Sequence, residues 1–348
     1  MKAAVLTEYR KVEWIDVPNP QVKDSEVLIK ISYAGICGSD QHIFEGQFHP
    51  RTKLPLIAGH EFAGTVMDMG ENVIGLHIGE RVVVDPIYWC GKCPACEIKH
   101  YPACTSLKLV GIDSDGGFGE FVVVKDFMVY KIDHRITDRD AVLVEPLAIG
   151  FHAIKRAGVQ PGDTIAIYSA GRIGQSVLQA ARTVTDNYII VIDVLEKRLG
   201  VAKTAYPDVI TINALKTNPV EAIKNYTHGK GVDIAFEAVG EAQKIEERVH
   251  PVRECIHSIR GAGKVCVLSL TNEAVSLVMK ELIWKEGTII TSRVTHGEYK
   301  DTIYHLAEGH LHPEVLISAE LPMSEAQTAF EFLEKDPENY LRIVLKMV

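Results

Sequence analysis

At 348 residues the chain is about twice the length of a usual single domain, so two domains are expected. Its 47% apolar and 24% charged residues are those of an ordinary globular protein, and a formal charge of -9 excludes a broad phosphate-binding face for nucleic acid. No apolar run reaches membrane-spanning length, Met1–Glu8 lacks a signal-peptide core, and five of the seven cysteines sit in ligand-like positions, which together predict a cytoplasmic protein.

Up to about Val144 the pattern is one of short strands broken by glycines, among them Glu26–Ser32, Phe62–Met69, Arg81–Asp85 and Phe118–Val124. It predicts a β-barrel-like domain. Cys37 lies in the run Gly35–His42, and His60-Glu61 in Gly59–Gly64. A thiol, an imidazole and a carboxylate are mixed ligands that can leave one coordination position open, as a catalytic zinc site requires. Taken singly, a cysteine such as Cys37 is more often a small buried residue, and a histidine such as His60 more often hydrogen-bonded structure, than a ligand.

Cys90, Cys93, Cys96 and Cys104 then place four thiols within fifteen residues, on a loop spanning about 88–106. Their first three spacings resemble the start of a ferredoxin ligand run, but seven residues separate the third from the fourth and no proline follows. Four thiolates close a tetrahedral zinc shell with no place for water, so a structural zinc is expected. Glu145, just before Pro146 and a predicted helix, reads alone as a favourable charge at a helix N-terminus.

From about Gly150 apolar strands alternate with helical segments, the signature of βαβ units. The expected strands are Thr164–Ser169, Tyr188–Asp193, Val209–Ile212, Val232–Glu237, Lys264–Leu270 and Thr288–Thr291. Six such strands match a doubly wound, dinucleotide-binding sheet. The first leads into Ser169-Ala170-Gly171-Arg172-Ile173-Gly174, in the place of a G-x-G-x-x-G turn whose first glycine is replaced by Ser169. Asp193, nineteen residues past Gly174, is placed to accept hydrogen bonds from an adenosine ribose and favours NAD over NADP. Arg198 tempers that preference, since a guanidinium serves a 2′-phosphate or packs on adenine. Cys255 and Cys266, near or within a predicted strand, read as small buried apolar residues. The tail offers helical patterns at Asp301–Glu308 and Glu325–Lys335 and a strand at Arg342–Met347, and is expected to return to the first domain.

With these pieces in hand, the chain resembles the zinc-dependent medium-chain alcohol and polyol dehydrogenases over essentially its whole length. The matching stretches are Gly35–His42, Gly59–Gly79, the four cysteines, Asp115–Phe121, Glu145-Pro146-Leu147, the cofactor turn and Asp193. The resemblance implies an α/β protein with a GroES-like β-barrel catalytic domain (1–149 and 294–348) and a Rossmann NAD-binding domain (150–293), with the active site between them. It implies two zinc ions per subunit, NAD, and a homodimer or homotetramer. Cys37, His60 and Glu61 would hold the catalytic zinc, with Glu145 a fourth ligand or a carboxylate exchanging with water and substrate. Asp40 would orient His60. Ser39 and His42 occupy the positions of a proton relay. Gly171, Arg172, Ile173, Gly174, Asp193, Arg198, Leu268, Ser292 and Arg293 would face the cofactor, Arg293 on a looser match.

The run Glu145–Ala153 looks more like polyol and sugar-acid dehydrogenases than simple-alcohol enzymes, so the expected reaction is hydride transfer from a secondary hydroxyl of a polyol, sugar alcohol or sugar acid to NAD. L-Threonine 3-dehydrogenases share the metal shell and four-cysteine lobe and are the alternative. They usually carry a Gly-Asn after the Glu-Pro pair, which this chain lacks. From another class, a catalytically silent, zinc-stabilised nucleotide-binding protein is encouraged only by Ser169.

Overall fold

The computed structural model describes residues 1–240, 248–271 and 274–348. The chain forms two compact units: Met1–Glu145 with Thr295–Gly309 and Ile317–Val348, and Pro146–Val294 with His310–Leu316. The tail is expected to return whole to the first unit, but His310–Leu316 groups with the second. Gln179 on the helix Arg172–Arg182 explains the difference. Its amide nitrogen donates to His312 O (3.1 Å) while its oxygen accepts from His312 N (2.7 Å), and Tyr206 Oη donates to His310 O (3.1 Å).

In the first unit a seven-stranded sheet carries the path Val129–Lys131, Arg81–Val84, Glu61–Met69, Glu26–Gly35, Ile343–Lys346, Ala319–Pro322, with Phe121–Lys125 also paired to Glu26–Gly35. A three-stranded sheet of Lys11–Asp16, Lys2–Glu8 and Leu56–Ile57 accompanies it. Alternating apolar residues of Glu26–Gly35 (Val27, Ile29, Ile31) are fully buried, as expected of a central strand with one face on the core. Register matters for function: Gly35 sits opposite both Glu61 and Val344, so the residues leading into Cys37, the Glu61 strand and the C-terminal strand meet. A Cβ at Gly35 would stand 2.6 Å from a Glu61 carboxylate oxygen.

The expected strand Phe118–Val124 begins only at Phe121. The preceding residues bond instead to the loop before His60: Gly116 N donates to Ile57 O (2.7 Å), Gly117 N to Gly59 O (2.8 Å) and Phe118 N to Ala58 O (3.0 Å). Gly59 has φ 92°, and a Cβ there would lie 2.4 Å from the Phe118 ring, so only glycine fits.

The second unit holds six parallel strands in the order Ile210–Asn213, Ile189–Asp193, Ile165–Tyr168, Val232–Glu237, Ile259–Val267, Thr288–Thr291. Numbered within this sheet they run 3-2-1-4-5-6, the doubly wound dinucleotide-binding order. The fifth strand is displaced towards the N-terminus from the expected Lys264–Leu270, because Ile259 already pairs with Val232 and Leu268 N turns to Glu237 O (2.9 Å). Cys266 lies on that strand but Cys255 lies on the helix Pro251–Ser258; both are fully buried. Among the described residues no helix is long and apolar enough to cross a membrane.

Candidate active site

Cys37 ends the turn after the central strand and precedes the helix Gly38–Phe44. Asp40 on that helix ties two loops together: Oδ2 accepts from Cys37 N (2.8 Å), and Oδ1 accepts from Gly59 N (3.3 Å) and faces His60 Nδ1 at 3.4 Å. At that distance the imidazole contact is electrostatic rather than a formed hydrogen bond, and His60 Nδ1 has no hydrogen-bond partner. The result is that ligand atoms of Cys37, His60 and Glu61 all lie within 4.8 Å of one another. Ser39 Oγ stands 3.3 Å from His60 Nε2, and His42, more exposed, packs edge-on against Phe48 at 6.2 Å.

The thiol and imidazole of this cluster shift in opposite directions, as the two partners of a buried ion pair do. Burial alone would raise the Cys37 thiol, but the His60 imidazole pulls it down to about 6. Burial works against a charged His60, yet Asp40 and Cys37 outweigh it and hold the imidazole well above its usual range. Glu145 stands outside the three-ligand set; burial pushes its carboxyl up to about 8, against the attraction of His60. Buried and without hydrogen-bond partners are Glu61 Oε1 and Glu145 Oε2 as well as His60 Nδ1. The orphaned carboxylate oxygens of Glu61 and Glu145 cost free energy unless a ligand completes them, and a sulfur–nitrogen–oxygen donor set suits zinc.

Two parts of this site were not read from the sequence. Arg342, just before the C-terminal strand Ile343–Lys346 and 2% exposed, forms an ion pair with Glu61, itself fully buried. A lone arginine in the apolar run Leu341–Leu345 was the signal available for it. Asp85, at the end of the strand Arg81–Val84, is also buried; Thr295 Oγ1 lies 3.0 Å from each of its oxygens, and burial raises its carboxyl to about 7.

The four cysteines converge as expected. Their sulfurs approach at 3.5 Å (Cys93–Cys96), 3.6 Å (Cys104–Cys90) and 4.0 Å (Cys90–Cys96), and none is in a disulfide. Thiolates about 2.3 Å from a tetrahedral zinc are about 3.8 Å apart, so the observed spacing fits the ion. Cys90 N and Ser106 N each donate to Cys104 Sγ at 3.4 Å. Hydrogen bonds from backbone amides, Thr105 first, pull the Cys93 thiol down to about 6, while burial drives Cys96 up to about 12. Four sulfurs this close need a cation to carry charge together. Trp89 stacks on Tyr101 at 4.0 Å, and His296, 2.7 Å from Lys99 O, pins the lobe from the C-terminal segment. Cys93→Ser is expected to lower zinc content from about two ions per chain to about one and Tm by about 10 °C. Metal analysis with a thermal melt checks this, and unchanged stoichiometry would refute the closed site.

In the second unit the turn Ser169–Gly174 joins the first strand to the helix Arg172–Arg182. Gly171 is the N-cap and supplies no side-chain cap, so the first-turn amides have no partner within the helix and suit a pyrophosphate. The face that a Gly171 Cβ would fill is bounded by Ser169 Oγ at 3.1 Å and Arg198 Nη1 at 3.6 Å. Gly174 is demanded by packing, since a Cβ there would fall 1.9 Å from Ser169 O. Asp193 is more deeply engaged than expected: Oδ2 accepts from Ala170 N (2.7 Å), and Oδ1 from Val194 N (2.7 Å) and Leu195 N (2.9 Å). It therefore anchors two strand-to-helix turns of the sheet. Ser292 is buried with its hydroxyl unbonded, Leu268 is half-buried and Arg293 is exposed.

The alcohol dehydrogenase GroES-like domain family matches residues 23–134, and the zinc-binding dehydrogenase family matches residues 173–308. Sorbitol dehydrogenase of Bacillus subtilis is 31% identical over 95% of this chain and 93% of its own. The chain belongs to the zinc-type medium-chain dehydrogenase family. A second relative, 2-dehydro-3-deoxy-L-galactonate 5-dehydrogenase of Pseudoalteromonas atlantica, is 30% identical over 92% of this chain and 91% of that one. Among solved structures, the rspB alcohol dehydrogenase of Escherichia coli CFT073, complexed with NADH, superposes with a TM-score of 0.90 at 28% identity, covering 100% of this chain and 99% of that one. As a family member this protein is an oxidoreductase of the zinc- and NAD-dependent kind, acting on a small alcohol, with the GroES-like and Rossmann folds expected from its sequence.

Proposed function

We propose that this dehydrogenase oxidises a secondary hydroxyl of a polyol, sugar alcohol or sugar acid with NAD, and runs the reverse reduction. The observation that carries the reading is the convergence of Cys37, His60 and Glu61, with orphaned buried carboxylate oxygens on Glu61 and Glu145. When bound there, zinc supplies Lewis acidity to a substrate hydroxyl, and NAD accepts the hydride. The chain's own residues do the rest. Cys37, His60 and Glu61 would hold the ion, with Glu145 a fourth ligand or a carboxylate exchanging with water and substrate. Asp40 fixes the orientation of His60. Ser39 takes the hydroxyl proton and His42, the more exposed group, releases it to solvent. Gly171, Arg172, Ile173 and Gly174 present the turn to the pyrophosphate. Asp193 and Arg198 would serve the adenosine end, and Leu268, Ser292 and Arg293 would face the cofactor.

Support for the polyol or sugar-acid class comes from the run Glu145–Ala153, from a carboxylate-rich metal set suited to adjacent hydroxyls, and from the two relatives named above. A panel of polyols, aldonic acids and L-threonine, each with NAD and NADP and read by nicotinamide absorbance, tests it. Turnover of a vicinal polyol or sugar acid with NAD is expected, and preference for threonine or inactivity across the panel would overturn the reading. A homodimer or homotetramer is part of the proposal and is checked by light scattering.

A further inference from the structure

We infer that Ser169 is a positioning residue that pre-forms the nucleotide turn, its hydroxyl compensating for the missing glycine; this rests on the nucleotide-binding reading above. Ser169 has φ 121°, a backbone conformation open to glycine and costly for any residue with a Cβ. It cannot relax out of it cheaply. Its amide donates to Ile192 O (2.8 Å), and its carbonyl is packed where only a glycine at 174 leaves room. The strained backbone is thus clamped between the second strand and the start of the helix.

What the side chain does there is specific. Ser169 Oγ accepts a hydrogen bond from Gly171 N at 3.0 Å, and the residue is 9% exposed, so the hydroxyl is spent inside the turn. Asp193 Oδ2 takes Ala170 N in the same way. The amides of residues 169, 170 and 171 are therefore all satisfied internally, and the helix that follows starts from the N-cap Gly171 with no side-chain cap. A glycine at 169 would reach the same backbone shape through conformational freedom; serine reaches it through a hydrogen bond that opposes the strain. An alanine would have the strain without the bond.

That gives an order that neither effect produces alone. Compare wild type, Ser169→Ala and Ser169→Gly by NADH titration through nicotinamide fluorescence, and by thermal melts of the zinc-loaded, nucleotide-free proteins. Ser169→Ala is expected to weaken NADH binding about 10-fold and to lower Tm by about 2–4 °C. Ser169→Gly is expected to stay within about 3-fold of wild type in affinity and to match it in Tm. Alanine equal to serine in both readouts would show the hydroxyl to be idle, and glycine as poor as alanine would show that strain plays no part; either overturns the inference. If wild type fails to bind NADH, the nucleotide reading falls, while the order of the melts still decides the role of Ser169.

Discussion

Cys37→Ala and His60→Ala are each expected to lower kcat/KM by about 10³-fold or more, because a Lewis acid worth several kcal/mol to the reacting oxygen is lost. The NADH dissociation constant should change little, since the turn Ser169–Gly174, Asp193 and Arg198 all belong to the other compact unit. Zinc analysis must accompany the kinetics. The loss should be confined to one ion, because the four-cysteine lobe uses none of these residues. Full activity in a preparation verified to lack the Cys37 ion would end the catalytic assignment. Loss of both activity and NADH binding would point instead to collapse of the fold. The split between turnover and nucleotide binding is what separates a ligand from a residue that merely packs.

Arg342→Met should be the most destabilising single change in the first unit outside the zinc ligands. Arg342 is 2% exposed and Glu61 fully buried, so removing the guanidinium leaves a carboxylate enclosed without its cation. Breaking a buried pair from one side costs about 3–5 kcal/mol, much more than the pair itself contributes. The double variant Arg342→Met with Glu61→Gln removes both charges and should recover about 2 kcal/mol of that loss. Urea denaturation of the metal-free proteins checks it, since a zinc ion on Glu61 would itself supply a cation. A double variant no more stable than the single one would show that Arg342 acts through packing and not through charge. Because Glu61 is also a proposed zinc ligand, the same variant shows whether its carboxylate is held for the metal by this arginine. Zinc affinity of Arg342→Met, measured by competition with a chelator, should then differ from wild type.

The amino-acid sequence carried the local signals unaided. Strands of the second unit follow from short β-branched runs, and five of the six observed spans fall within two residues of those expected, since a buried parallel strand reads as a continuous apolar block. Cys90–Cys104 closes on itself within fifteen residues, so its spacing was enough to specify a tetrahedral set. The departure at Ser169 was visible as well, but its consequence was not. Whether a serine distorts or keeps the turn depends on where its hydroxyl points, and that is decided by the packing of Ile192 and Gly174 around it.

Only the tertiary structure decided the long-range pairings. Arg342 lies 281 residues from Glu61, and Thr295 lies 210 from Asp85; no periodicity or spacing links residues so far apart. Arg342 and Glu61 meet because antiparallel register sets Gly35 against both Glu61 and Val344, a constraint that exists once three strands are side by side. The same holds for His310–Leu316, whose backbone is captured by the buried Gln179 side chain rather than by any preference of its own. A buried polar group must find a partner wherever the fold offers one, and which partner that is depends on three-dimensional proximity, not on order along the chain.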